Sequence, residues 1–286
     1  MQANPLPEDH LARSDFVREL VQHPRYNDVM PAEFSAETPR TIVQFWDDVN
    51  QLPPDVRECI QSWQKLDTHG FELLLFDDDS ASAFIARKLG PRYEAAYSNC
   101  YHPAMRSDYF RLCYILTEGG CYLDADDVYR GCTIDHLFGD GRLRIQPLCY
   151  DISTNQMISP SVFTELGATA SSWIFYFNNN PLLAARGHPI VERALARATE
   201  ALERPVSGEL PEIQSTTGPG NLTKSVFDLA TEHGEIKDSL VVLYGWEDVA
   251  TTRWPLSYRR DMRNWRHSNQ REYRRCMGGG AKGRGE

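Results

Sequence analysis

AMRSDYFRLCYILTEGGCYLDADD, residues 104–127, decides the fold of this 286-residue chain. It reads as a polar-edged helix, a Gly-Gly turn and a short hydrophobic strand that runs into Asp-Ala-Asp. Met105, Tyr109, Leu112, Cys113 and Leu116 recur on one helical face. Asp108 and Arg111, three residues apart, share the adjoining stripe. In an extended segment side chains alternate, so Asp124 and Asp126 are expected on one side with Ala125 turned toward the core. Two carboxylates at a strand's C-terminal end suit a hard divalent cation that also holds a diphosphate.

Working outward, TIVQFW (41–46) is a β-branched and aromatic strand. A helix over Val56–Lys65 follows Pro53-Pro54, and FELLLF (71–76) supplies a second strand. Asp77-Asp78-Asp79-Ser80 ends that strand and caps the helix ASAFIARKL. Alternating strands and helices predict an α/β fold around a mixed, mostly parallel sheet. Strands over Leu143–Leu148, Trp173–Phe177 and Val241–Tyr244, and a helix over His188–Leu202, extend the pattern. The expected organisation is an N-terminal helical extension (1–38, helix over 9–23), one α/β domain (39–276) and a disordered tail (277–286).

Composition sets the limits. Hydrophobic residues make up 41% and charged residues 24% of the chain, as in ordinary globular proteins. No apolar run approaches the roughly 18–20 residues that a membrane span needs. The opening residues lack a basic region followed by an apolar one, so no secretory leader is expected. Seven cysteines without framework spacing point to reduced thiols and a cytoplasmic setting. The net charge of −10 is uneven, because the segment from Arg253 onward is basic and the body before it strongly acidic. That body repels a nucleic-acid backbone.

The combination Ser107-Asp108, Arg111, Gly119-Gly120 and Tyr122-Leu123-Asp124-Ala125-Asp126 resembles the DXD sugar-binding region of glycosyltransferase family 32 and its relatives. These include yeast-type initiating mannosyltransferases, bacterial capsular glycosyltransferases and the catalytic domains of clostridial glucosylating toxins. TIVQFWDD is similar to the family's first strand, which makes Trp46, next to Phe45, the candidate for stacking on the donor base. FNNNPLLAARGHP resembles the family's Asn-bearing strand. Asn179 is the best match there, with Asn178 and Asn180 leaving the register open. STTGPGNLT (215–223) resembles its Thr-Gly-Pro loop on the acceptor side. Near the C-terminus, Asn264-Trp265-Arg266-His267-Ser268 is the nearest counterpart of a late metal- or diphosphate-contacting segment, in which His267 would complete the metal shell or hydrogen-bond the diphosphate and Arg266 would neutralise it.

The resemblance implies a GT-A-type domain and a retaining transfer of a hexose from a nucleotide-sugar donor to a hydroxyl acceptor. A UDP-sugar is the first expectation and GDP-mannose the second. It implies Mn²⁺ or Mg²⁺ on Asp124 and Asp126, with His267 as a further ligand. Asp108 would hydrogen-bond the sugar, and Arg111 would support the phosphates or orient Asp108. Phe45, Trp46, Tyr122, Ala125 and Asn179 would complete the donor pocket. Two other readings use the same acidic edge, a nucleotide-sugar hydrolase and a protein that binds a sugar nucleotide or Ca²⁺ without transferring anything.

Overall fold

Helix α1, Glu8–Gln22, opens the computed structural model, which describes residues 8–23, 37–204 and 209–271. Strand β1 (Thr41–Phe45) is followed by helix α2 (Pro54–Ser62), whose Pro54 occupies a first-turn position that needs no amide hydrogen. Strand β2 (Glu72–Phe76) leads into α3 (Asp78–Lys88) through a capping box in which Asp77 and Ser80 each satisfy the other's backbone amide. Helices α4 (Pro91–Ser98) and α5 (Pro103–Glu118) come next. The strand expected to run into Asp-Ala-Asp is short: β3 covers Gly120–Tyr122, and β4 restarts at Asp127–Tyr129.

The second half supplies β5 (Leu143–Asp151), β6 (Gln156–Met157), α6 (Pro160–Phe163) and the long β7 (Trp173–Ala184). Helix α7 (Pro189–Glu203) is followed by α8 (Ile213–Thr216) and α9 (Pro219–Glu232). The chain continues through β8 (Leu240–Val242), α10 (Trp246–Val249), β9 (Ala250–Thr252) and α11 (Trp265–Ser268). The expected loop at 215–223 is instead a junction of two helices, with Gly218 as the N-cap of α9 and Pro219 starting it. The tail at 277–286 and most of the connector between α1 and β1 lie outside the described residues.

Among the described residues, seven strands form one sheet in the order β2-β1-β3-β7-β5-β6, with β8 also on β5. β1 is parallel to β2 and β3, β5 is parallel to β8, and β7 and β6 run against their neighbours. Five of the seven strands therefore point one way, giving the mixed, mostly parallel α/β sheet that the resemblance implies. A separate ribbon pairs β4 with β9.

Strand alternation divides the core into two layers. Val43, Tyr122 and Leu182 face the large cluster beneath α5 and α7, whereas Ile42, Cys121 and Leu183 face Trp63, Phe71, Phe138 and Trp246. Helix α1 joins the first layer through Val17 and Val21, and Ser14 Oγ accepts the Phe175 amide at 3.0 Å. No helix of the described residues is long and apolar enough to cross a membrane. Cys59, Cys100, Cys113, Cys121, Cys132 and Cys149 are free thiols.

This topology fixes where a site can form. β1 lies between β2 and β3, so the chain leaves β1 and β3 in different directions at their C-terminal ends. A crevice opens at such a point in an open α/β sheet. Trp46 follows β1 and Asp124 follows β3, and both line a cleft of about 700 Å³.

Candidate active site

The Gly-Gly step brings the Asp-Ala-Asp segment to the cleft. Gly119 and Gly120 adopt φ of +73° and +105°, values that disfavour any residue with a Cβ. A Cβ at Gly120 would stand 2.8 Å from the Thr41 carbonyl oxygen, and one at Gly119 would stand 2.8 Å from the Arg186 amide nitrogen. Glycine thus lets β3 lie directly against β1 after α5 ends.

Asp124 to Asp127 is a turn rather than an extended segment, closed by the Asp127 amide donating to the Asp124 carbonyl at 3.2 Å. The rest of its backbone is held from several distant elements. Asn180 Oδ1 accepts the Asp124 amide at 3.0 Å, and Gln44 Nε2 donates to the Asp124 carbonyl at 3.2 Å. The Arg253 amide donates to Asp126 O at 2.9 Å, and Trp63 Nε1 donates to Asp127 O at 2.9 Å. A turn this constrained fixes its side chains even though it belongs to no regular element.

The Asp108–Arg111 stripe is not a surface pair. Both residues are buried, 3.0 Å apart, in a helix whose neighbours Tyr109, Phe110 and Leu112 are buried too. Arg111 Nη2 also reaches Asp124 Oδ1 at 2.8 Å, and its Nη1 donates to the Asn179 carbonyl at 2.7 Å. Burial works against the guanidinium charge, but Asp124 and Asp108 outweigh it and hold its pKa above the ordinary value. Asn179 Nδ2 donates to Asp108 Oδ1 at 2.8 Å, while Thr217 and Gly218 approach the other carboxyl oxygen. Burial pushes Asp108 up to about 6 despite these partners.

The three asparagines of β7 separate by role. Asn179 serves Asp108 and Arg111. Asn180 holds the turn, accepting from Asp124 and donating through Nδ2 to Asp127 Oδ2 at 2.9 Å. Asn178 Nδ2 donates to the Asn180 carbonyl at 2.6 Å.

The other expected donor residues fall into two groups. Phe45, Trp46 and Ala125 line the cleft. Tyr122 lies behind it, fully buried, with its hydroxyl 2.7 Å from Ser107 Oγ and its ring 4.3 Å from the Arg111 guanidinium carbon. It therefore supports Arg111 from below. Trp46 is only 7% exposed, packed edge-on against Tyr258 with ring centres 5.3 Å apart. Its buried Nε1 has no hydrogen-bond partner among the described residues. His267 is exposed and is not among the cleft-lining residues, unlike its neighbours Asn264, Trp265 and Arg266.

Sequence reasoning missed four participants. Tyr258 donates to Asp126 Oδ2 at 2.6 Å, and Arg259 pairs with the same oxygen. Arg263 reaches Asp47 at 3.3 Å beside Trp46. Asp127, next to the motif, accepts from Asn180 and from Thr252 Oγ1 at 2.7 Å, and burial together with Asp126 and Asp124 pushes it up to about 7. Burial and Asp124 also raise Asp126, against the pull of Arg259. The basic stretch from Arg253 onward was visible as a charge excess, but its pairing with particular aspartates was not.

The fit of a divalent cation follows from the donor set. Asp124 and Asp126 offer hard carboxylate oxygens to one cleft. Among the described residues no cluster of three or more His, Cys, Asp or Glu side chains is arranged as a metal site. Mg²⁺-type ions are commonly held by one or two carboxylates together with phosphate oxygens and water. The pair thus fits a cation shared with a diphosphate, and a cation taking Asp126 Oδ2 would displace Arg259.

Residues 53–140, which include α5 and the whole Asp-Ala-Asp turn, match the family model described as the glycosyltransferase sugar-binding region containing DXD motif. Over that span, about a third of its length, the chain is similar to the glycosyltransferase sugar-binding region. Asp124-Ala125-Asp126, Asp108 and Arg111 all lie within the matched span. Among solved structures the chain is similar to one described as PaToxG Glycosyltransferase, at 15% identity and a TM-score of 0.46, over 79% of this chain and 80% of that one. No curated protein matches the chain.

Proposed function

We propose that the protein is a metal-dependent, retaining glycosyltransferase that moves a hexose from a nucleotide-sugar donor to a hydroxyl acceptor. A UDP-sugar is the first candidate donor and GDP-mannose the second. The observation that carries this reading is the buried Asp108–Arg111 pair joined to the partly exposed Asp124, with Asn179 bracing the first two. A carboxylate and a guanidinium held rigidly beside a DXD turn suit recognition of sugar hydroxyls next to a departing phosphate.

In this reading Asp108 accepts hydrogen bonds from the sugar hydroxyls, and Asn179 keeps its carboxyl oriented. Arg111 holds Asp124 in place and contributes fixed positive charge where negative charge develops, without reorganisation during the reaction. Trp46 forms the wall of the base subsite, with Phe45 and Ala125 beside it. Mn²⁺ or Mg²⁺ on Asp124 and Asp126, when bound, supplies Lewis-acid neutralisation of the leaving diphosphate.

No carboxylate stands out as a nucleophile of the kind that retaining glycosidases use. The transfer we propose is therefore front-face. The bond from the anomeric carbon to phosphate oxygen breaks, the acceptor oxygen bonds to the same face of that carbon, and the acceptor proton passes to the departing phosphate. Trapping of a glycosyl adduct on an enzyme carboxylate would overturn this route.

The decisive experiment is a donor screen in Mn²⁺ that reads released UDP or GDP with and without acceptor. Release accelerated by acceptor supports transfer; release indifferent to every acceptor supports a hydrolase. Asp126→Ala should lose at least about a hundredfold in turnover while remaining folded. Unchanged activity in that variant, together with insensitivity of the wild type to EDTA, would remove the metal reading.

A further inference from the structure

On the other flank of the cleft, Arg266 forms no salt bridge among the described residues. The guanidinium carbon of Arg266 is 5.0 Å from the ring centre of Trp254 and 4.9 Å from that of Trp265. Arg259 also covers Trp254, at 4.2 Å, but its charge is matched by Asp126. Arg263 is matched by Asp47 and Asp261, and Arg111 by Asp108 and Asp124. The charged and titratable groups acting most strongly on Arg266 are Arg259 and the tyrosines 176, 258 and 150, with no carboxylate among them. Arg266 is exposed as a residue, yet partial burial of its guanidinium and the charge of Arg259 both disfavour its protonated form. An exposed guanidinium with no carboxylate partner can form charge-assisted hydrogen bonds to an incoming anion.

The surroundings specify more than charge. Trp254 is 57% exposed and Met157 48% exposed, and both line the cleft. Tyr176 and Leu148, paired across β5 and β7, continue this wall. Open indole area next to an unmatched guanidinium suits a ligand with an apolar ring face and a negative substituent. A pyranose bearing a carboxylate or a phosphate has both. In the proposed donor site the phosphates would meet a cation held by Asp124 and Asp126, since Arg111 is already paired with Asp108 and Asp124.

We propose that Arg266, Trp254 and Trp265 form an acceptor subsite for an anionic saccharide. Arg266 holds the carboxylate or phosphate, and the sugar ring lies on Trp254. This assignment rests on the glycosyltransferase reading for the word acceptor, but its test is a binding measurement that needs no turnover.

The full-length protein is titrated with methyl glucuronide, glucose 6-phosphate and methyl glucoside, following tryptophan fluorescence. At least one anionic sugar should saturate at a concentration about tenfold below the neutral glucoside, as expected for one charge-assisted contact. The two anionic arms separate carboxylate from phosphate recognition. Arg266→Gln should abolish the preference and Arg266→Lys should restore part of it. Because the preference is a ratio within one preparation, partial misfolding of a variant does not imitate its loss. Equal saturation by neutral and anionic sugars, no saturable response to either anion, or a preference that survives Arg266→Gln would overturn the subsite. A donor screen without nucleotide release would instead remove the transferase reading and leave the binding preference standing.

Discussion

Asn180 shows how a single side chain positions chemistry to which it need not contribute directly. One amide group holds both ends of the DXD turn, accepting from the Asp124 amide and donating to the Asp127 carboxylate. Removing it leaves a buried donor and a buried carboxylate oxygen each short of a partner, at about 1–3 kcal/mol apiece. Asn180→Ala should therefore lose about 2–6 kcal/mol in urea unfolding, and its folded fraction should turn over at least about tenfold more slowly. Asn180→Asp should be worse, because it sets a second carboxylate against Asp127. Asn179→Ala should instead act on Asp108, with the fault in sugar recognition rather than in the geometry of the turn. If Asn180→Ala matched wild-type stability and activity, the clamp would carry no weight.

At the level of elements, the Gly119-Gly120 step is the most exacting feature. Gly120 combines a left-handed φ with a Thr41 oxygen 2.8 Å from where a Cβ would be. Gly70 has φ of +76° but nothing within 4 Å of its Cβ position. Gly70→Ala should cost about 1–2 kcal/mol from backbone strain alone. Gly120→Ala should cost more, since β3 must also move away from β1. Thermal midpoints of the two variants measure the difference, and equal midpoints would refute the close-approach argument. Elements with strong local patterns were legible from sequence: β1, β2, α3, α5 and α7 stand where alternation, capping and helical period put them. Helix α4 was missed, because PRYEAAYS is short and weakly patterned. The 215–223 segment resembles a Thr-Gly-Pro loop, whereas here the Gly-Pro step separates two helices. The strand into Asp-Ala-Asp was read as too long, since nothing local reveals that distant side chains hold residues 124–127 as a turn.

Across the whole molecule, burial of ionisable groups ties stability to pH. His188 caps α7 through Nδ1, its Nε2 is 3.1 Å from the Ser239 carbonyl, and burial lowers its pKa to about 4. Between pH 6.5 and about 4 the unfolded chain takes up a proton that the folded chain refuses. Its contribution to stability is therefore complete above pH 6.5 and is lost as pH falls through that window, by about 3 kcal/mol. Asp108, raised to about 6, acts in the opposite sense between pH 3.8 and 6, so the wild-type slope alone is ambiguous. The difference between wild type and His188→Gln isolates the histidine: it should shrink by about 3 kcal/mol from pH 7 to pH 4 in denaturant titrations. A pH-independent difference would contradict a neutral, buried His188.

The sequence by itself determined the α/β alternation, the glycine step and the spacing of Asp108, Arg111, Asp124 and Asp126, because each depends on neighbours within about one element. Only the tertiary structure decided which charges neutralise which. Arg259 lies 133 positions from Asp126, and Asn180 lies 53 from Asp127. Electrostatic and hydrogen-bond partnership depends on distances of a few ångströms in space, and chain separation carries no trace of them.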